Sequence, residues 1–203
     1  MSRVIAVRHG ETDWNREGRM QGWAPVPLNE TGREQAAATG TWLAERYTFD
    51  RVLGSDLLRT RETAALLCES IEAEPTFESA WRERSMGVYQ GLTRSAVESR
   101  FPEFGLGETA YRATEAVPDG GESLRTVEER VLERFGELRD ADGTTLLVTH
   151  GGPLCMLLGH AKGQDLTTAL STHHVENCAI VEFRIDGGRT RVVGENVTAP
   201  RRP

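Results

Sequence analysis

Two histidines carry the clearest chemical signal in this chain. His9 stands in Arg8-His9-Gly10-Glu11-Thr12, directly after the apolar run Val4-Ile5-Ala6-Val7. His150 follows a second run, Leu146-Leu147-Val148-Thr149, and precedes Gly151-Gly152. A neutral imidazole can attack phosphorus and form a covalent phosphohistidine, which splits one hard displacement into two easier ones. The phosphoryl group in transfer carries its charge on equatorial oxygens, so catalysis is mainly positioning and charge stabilisation. That needs several fixed cations around one point. Arg8 adjoins His9, Arg59 falls on the first turn of an expected helix after Ser55-Asp56-Leu57-Leu58, and His150 is placed to donate from the other strand. Backbone N–H groups around Gly10 and Gly151-Gly152 add donors where a side chain would obstruct approach. A leaving alkoxide also needs a proton, and Glu83 in Trp81-Arg82-Glu83-Arg84 is the candidate acid. A phosphate dianion nearby would disfavour its ionised form and keep it able to donate.

These residues need elements that bring them together. Both apolar runs are rich in aliphatic and β-branched residues and bounded by glycine, the mark of buried parallel strands. Ligands of open α/β sheets bind outside the carboxyl ends of the strands, which is where both histidines fall. A helix is expected over 33–47, capped by Thr31, then a short strand over 51–54. Ser55 or Asp56 would cap the next helix, which carries Leu57, Ala64, Ala65, Leu67 and Cys68. A short strand at 76–78 follows. The stretch 92–121 is the least regular, with a helix-like piece near 95–100, and reads as a lid over the site. Helices are expected over 122–140, with Leu124, Val127, Val131 and Phe135 on one face, and from about Pro153 to His160. Two late strands, 179–185 and 189–193, are joined by Asp186-Gly187-Gly188, a hairpin signal. The alternation predicts one α/β domain over 1–203, a three-layer α/β/α sandwich on a mostly parallel sheet.

Composition narrows the class. The 203 residues suffice for one domain with a substantial core. No apolar run approaches a membrane span and no signal-peptide pattern opens the chain, so a cytoplasmic enzyme is expected. A net charge of −7 argues against a nucleic-acid partner. Of 24 basic residues all but Lys162 are arginine, the better residue for bidentate phosphate contacts. Cys68, Cys155 and Cys178 are far apart, odd in number and set among apolar residues, which reads as buried free thiols. His160, His173 and His174 match no familiar ligand spacing, so no metal is expected. No P-loop or dinucleotide glycine fingerprint is present, and no cofactor is expected.

Six motifs, in order along nearly the whole chain, resemble the histidine phosphatase superfamily, the phosphoglycerate-mutase-like enzymes. They are 8–15 (Arg8-His9-Gly10-Glu11-Thr12-Asp13-Trp14-Asn15), 19–23 with 27–32, 55–64, 83–91, 120–123 and 149–152. The resemblance implies that His9 is phosphorylated, that Arg8, Arg59 and His150 hold the phosphoryl group, and that Glu83 donates the proton. It also implies Asn15, Gln21 and Gly22 near the substrate, with Arg61 a further candidate, while Gly151 keeps the backbone-donor role read from its place after His150. One departure is Gln90, which stands where many small phosphatases of the family carry Glu, as it does in some mutases.

Each residue also has a plainer reading. Arg8-His9 fits a strand-end turn with a surface ion pair, His150 a satisfied core histidine, Arg59 a helix-surface cation, and Glu83 a carboxylate paired with Arg82 or Arg84. The functional expectation is a metal-independent phosphomonoesterase acting on a small phosphomonoester, as monomer or homodimer. A phosphoglycerate mutase is the alternative, and a non-catalytic phospho-ligand-binding module a third. A mutase must hold a doubly anionic phosphoglycerate, which favours a basic lid. Residues 92–121 carry Arg94, Arg100 and Arg112 against Glu98, Glu103, Glu108, Glu115 and Asp119, a balance that favours a hydrolase.

Overall fold

The alternation of side chains along β1 (Ser2–Arg8) divides the molecule into layers. Val4 and Ala6 face one core and Ile5 and Val7 the other, as the two-residue period of a strand requires. A computed structural model describes residues 2–106, 114–139 and 141–200. In it β2 (Arg51–Ser55), β3 (Pro75–Glu78), β4 (Gly143–Thr149), β5 (Ile180–Asp186) and β6 (Arg189–Val197) join β1 in one sheet, ordered β3-β2-β4-β1-β5-β6. The first four strands in that order are mutually parallel, and β5 and β6 add antiparallel on the far side of β1. The expected three-layer sandwich on a mostly parallel sheet is the observed fold.

Helices α2 (Glu30–Ala44) and α3 (Leu58–Ile71) lay Leu43, Ala64 and Leu67 on one face of the sheet. Helices α5 (Leu124–Arg139) and α6 (Gly151–Lys162) cover the other with Val127, Val131, Phe135, Leu154, Leu157 and Leu158. β1 and β4 are neighbours, yet the helices that follow them lie on opposite faces. The crevice at their carboxyl ends is therefore the topological switch point of the sheet.

Several boundaries differ from expectation for identifiable reasons. Asn29, not Thr31, caps α2, its side chain accepting from Gly32 N. Neither Ser55 nor Asp56 caps α3. Leu57 holds the N-cap without a side-chain bond, Ser55 closes β2, and both oxygens of Asp56 are taken by Arg82. Glu122 lies outside α5 because its carboxylate accepts from Ser85 N and Arg130. β6 continues past 193 to Val197. Two short helices were not expected: α1 (Asp13–Arg16), capped by Thr12, and α7 (Leu166–Thr172), capped by Asp165.

The irregular stretch after 92 has a small core of its own. α4 (Arg94–Arg100) and the 3-10 turn Pro102–Phe104 gather Val97 and Phe104 around Met86 and Tyr89. Tyr89 packs on Phe101 and Phe104 with ring centroids 4.9 and 4.8 Å away. The middle of the expected lid, 107–113, with Glu108 and Arg112, lies outside the described residues.

Candidate active site

Strand register alone brings the two histidines together. Arg8 of β1 pairs with Thr149 of β4, so the next residues, His9 and His150, leave adjacent strand ends side by side. Their rings meet edge to face with centroids 5.2 Å apart. Both are buried, and His9 lines a cavity of about 680 Å³ at this edge of the sheet. Arg8, Asn15, Gln21, Gly22, Arg59, Glu83 and Gly151 line the same cavity.

The hydrogen bonds of His9 fix its proton. Nδ1 lies 2.7 Å from the Gly10 carbonyl, which can only accept, so Nδ1 carries the hydrogen and Nε2 keeps its lone pair. Arg59 Nε donates to that nitrogen at 3.3 Å. Burial first, then the charges of Arg59 and Arg8, hold the imidazole well below its ordinary pKa, so the ring is neutral. A neutral ring with an unprotonated Nε2 is the form that can act as a nucleophile.

Arg59 is no surface cation. It is 1% exposed, sits on the first turn of α3, and reaches Gly22 O at 2.9 Å and Ala24 O at 3.4 Å. Burial lowers its pKa to about 10, so it stays charged at neutral pH. Arg8 donates through Nη1 to Val175 O at 2.7 Å, while its buried Nε has no partner. Among the described residues, His150 Nδ1 and Gln21 Oε1 are also buried without partners, as are Trp81 Nε1 and Thr190 Oγ1 away from the expected site residues. A buried unpaired polar atom costs stability, so its persistence calls for a ligand or another compensation.

Glu83 follows the 3-10 turn Ser79–Trp81. Its carboxylate accepts from Arg84 N at 2.9 Å and Gly152 N at 3.1 Å. Arg82 instead grips Asp56, and Arg84 bonds Glu122 O and Ala116 O. Gly152 admits this carboxylate because a Cβ there would stand 2.4 Å from Glu83 Oε1. Two expected residues are absent from the lining: His150, whose fully buried ring packs edge to face on His9, and Arg61. Two positions beyond Arg59, its side chain points about 200° around α3. It caps the Phe77 ring and donates to Asp56 O, outside the cavity lining. Gln90 also lies outside that lining, and its Oε1 accepts from Trp23 N at 2.6 Å.

Other contributors left no trace in spacing. Asn177 Nδ2 donates to His9 O at 2.9 Å and to Asn15 Oδ1 at 3.3 Å. Cys178 N bonds Arg8 O from a positive-φ conformation unusual for a non-glycine residue. Trp23 Nε1 and Arg130 Nη2 both hold the Glu83 carbonyl. His173, on the cavity wall, is tied to Glu195 and Gln164, and His160 is exposed. Among the described residues no group of three His, Cys, Asp or Glu side chains is placed to hold a metal ion. Cys155 and Cys178 are buried free thiols whose pKa burial raises to about 12, and Cys68 is free and partly exposed. No helix among the described residues is long and apolar enough to cross a membrane.

A family model described as histidine phosphatase superfamily (branch 1) matches residues 4–198. The chain is 32% identical over 189 residues to phosphoglycerate mutase-like protein 4 of Arabidopsis thaliana, covering 91% of this chain and 80% of that one. It is 33% identical over 203 residues to a glucosyl-3-phosphoglycerate phosphatase of Mycolicibacterium vanbaalenii, covering 95% and 87%. A solved structure of a mycobacterial glucosyl-3-phosphoglycerate phosphatase in complex with VO3 superposes with a TM-score of 0.85 at 28% identity, covering 98% of this chain and all of that one.

Proposed function

Because the chain belongs to the histidine phosphatase superfamily, branch 1, we propose that it hydrolyses phosphomonoesters through a phosphohistidine on His9. The observation that carries this reading is the state of His9. It is buried, neutral and committed through Nδ1 to Gly10 O, with its Nε2 lone pair beside Arg59 at the floor of the cavity. Nε2 attacks phosphorus as the P–O bond to the leaving group breaks. Arg8 and Arg59 hold the equatorial oxygens, with His150 as a further donor. Glu83 gives its proton to the departing alkoxide. Water then cleaves the N–P bond, with Glu83 taking up the proton that water loses. Asn15, Gln21, Gly22 and the Gly151 backbone form the rest of the substrate wall.

The charge pattern favours hydrolysis over the mutase reaction. Arg8 and Arg59 make no ion pair among the described residues. The outer cavity arginines are already engaged, Arg19 by Glu17 at 2.5 Å and Arg94 by Glu98 at 2.7 Å. With arginines supplying the charge, activity is expected to survive exhaustive chelation.

The test is a panel of phosphomonoesters assayed with purified protein, including 3-phosphoglycerate scored for both phosphate release and isomerisation. Phosphate release is expected, with vanadate as an inhibitor. Rapid quench should trap an acid-labile, base-stable phosphoenzyme that His9→Ala abolishes. Full turnover by His9→Ala would sink the mechanism, and isomerisation without net phosphate release would replace phosphatase by mutase.

A further inference from the structure

His150 and Ser55 are both 0% exposed, and His150 Nε2 lies 2.9 Å from Ser55 Oγ. The same Oγ accepts the Leu57 N–H at 3.3 Å. A serine hydroxyl has one hydrogen to give. Among the described residues the acceptor within its reach is His150 Nε2. Were the proton on Nε2 instead, the Ser55 hydroxyl hydrogen would be buried with no acceptor, a loss of about 1–3 kcal/mol. Ser55 therefore donates, and Nε2 is the nitrogen with the lone pair. The ring is neutral, because burial and the neighbouring Arg59, His9 and Arg8 all disfavour a second proton. Its single hydrogen then sits on Nδ1, which is fully buried and has no partner in the protein.

We infer that Ser55 is a positioning residue that locks His150 in the Nδ1–H tautomer, so that the ring donates a hydrogen bond to a phosphoryl oxygen held at His9. The inference rests on the phosphoryl-transfer reading above. His9 and His150 then share one tautomer but present opposite ends. His9 offers the bare Nε2 and His150 offers the Nδ1–H. Without Ser55 the His150 proton is free to move to Nε2, and a lone pair would face the anion. Ser55 is itself rigidly placed. It closes β2, and its carbonyl accepts from Thr60 Oγ1 at 2.9 Å in the first turn of α3, the turn that also carries Arg59. One short connection thus sets both a guanidinium and the proton of a neighbouring imidazole.

The experiment is long-range ¹H–¹⁵N correlation of histidine-labelled full-length protein, with the His150 signals identified by their loss in His150→Gln. The wild-type protein is expected to show His150 with a protonated Nδ1 and a bare Nε2. Ser55→Ala should give a mixture of tautomers and weaken orthovanadate binding about tenfold or more, the usual worth of a hydrogen bond to a charged group. Ser55→Thr, which keeps the hydroxyl, should restore both. A wild-type spectrum with the proton on Nε2 would overturn the inference, even if Ser55→Ala failed to fold. So would a folded Ser55→Ala that keeps both the Nδ1–H spectrum and the vanadate affinity. The tautomer is read in the resting protein, so absence of turnover would count against the proposed activity and not against this assignment.

Discussion

Glu83 shares its carboxylate between two backbone N–H groups, one from the next residue and one from Gly152 at the start of α6. If it supplies the proton, its loss matters in proportion to the basicity of the leaving group. Glu83→Gln is expected to slow hydrolysis of alkyl phosphates by about 10²–10⁴-fold and that of p-nitrophenyl phosphate far less, since nitrophenolate leaves unaided. Equal slowing of both substrates would reduce Glu83 to a positioning role. Gly152→Ala tests the same carboxylate from the other side. The new methyl would stand 2.4 Å from Oε1, the far end of a side chain, which must swing away and give up its bond to Arg84 N. Alanine is also the better helix former by about 1 kcal/mol. The expected outcome is an undiminished melting temperature with the same substrate-dependent loss of rate, and a variant equal to wild type on alkyl phosphates would refute it. His9, Arg8, Arg59, His150 and Glu83 were legible in the sequence because each sits in a short motif after an expected strand or turn. Asn177 was not, nor was the role of Trp23, which lies within one of the six motifs, nor Arg130. They act on the backbone of residues 168, 60 and 47 positions away, and no local pattern encodes such a partnership. Arg61 misled because adjacency in the motif hides the rotation of the helix.

The first loop holds His9 in place because two glycines allow two elements to touch. A Cβ at Gly32, in the first turn of α2, would stand 2.1 Å from Glu11 O, and one at Gly10 would stand 2.4 Å from Gly32 O. Asn29 reinforces the contact, capping α2 through Gly32 N and donating to Glu11 Oε1 at 2.8 Å. Gly32→Ala must therefore push the loop off the helix. The expected cost is about 1–3 kcal/mol by denaturant unfolding, the range for overpacking, together with reduced kcat as His9 shifts. A Gly32→Ala protein as stable and active as wild type would show that the loop does not depend on this contact. The elements themselves were largely legible. β1 and β4 were found from their uninterrupted aliphatic runs, α5 from its repeating apolar face, and the β5–β6 hairpin from its glycine pair. Their ends were less so. The competing caps at Asn29 and Thr31 lie two residues apart, and choosing between them depends on the position of Glu11. α7 escaped notice because seven residues give too few turns for a period to emerge.

At the scale of the molecule, the site is a pair of buried neutral imidazoles beside two arginines in a chain of net charge −7. Such a site ties stability to pH. Burial and the neighbouring arginines hold both His9 and His150 well below their ordinary pKa of 6.5 in the folded protein, and unfolding returns both rings to water. Above about pH 6.5 the rings are neutral in both states and contribute nothing to the pH dependence. Below it the unfolded chain binds protons that the folded protein refuses. Stability therefore falls as pH drops from 7 toward 5, by up to about 1.4 kcal/mol per pH unit for each histidine. The depressed carboxyl groups of Asp56 and Glu78, each held by an arginine, add their own loss only at lower pH, near the ordinary carboxylate range. The two windows are thus separable. Urea unfolding followed between pH 7 and 5 should show the wild-type slope, and His150→Gln, which removes one of the two rings, should reduce the histidine part of that slope by about half. A stability flat across this window would mean that the two rings take up protons in the fold over the same range as in the unfolded chain, and the fold would then not hold His9 neutral. The unfolding curve therefore tests the protonation state of the proposed nucleophile without any substrate present.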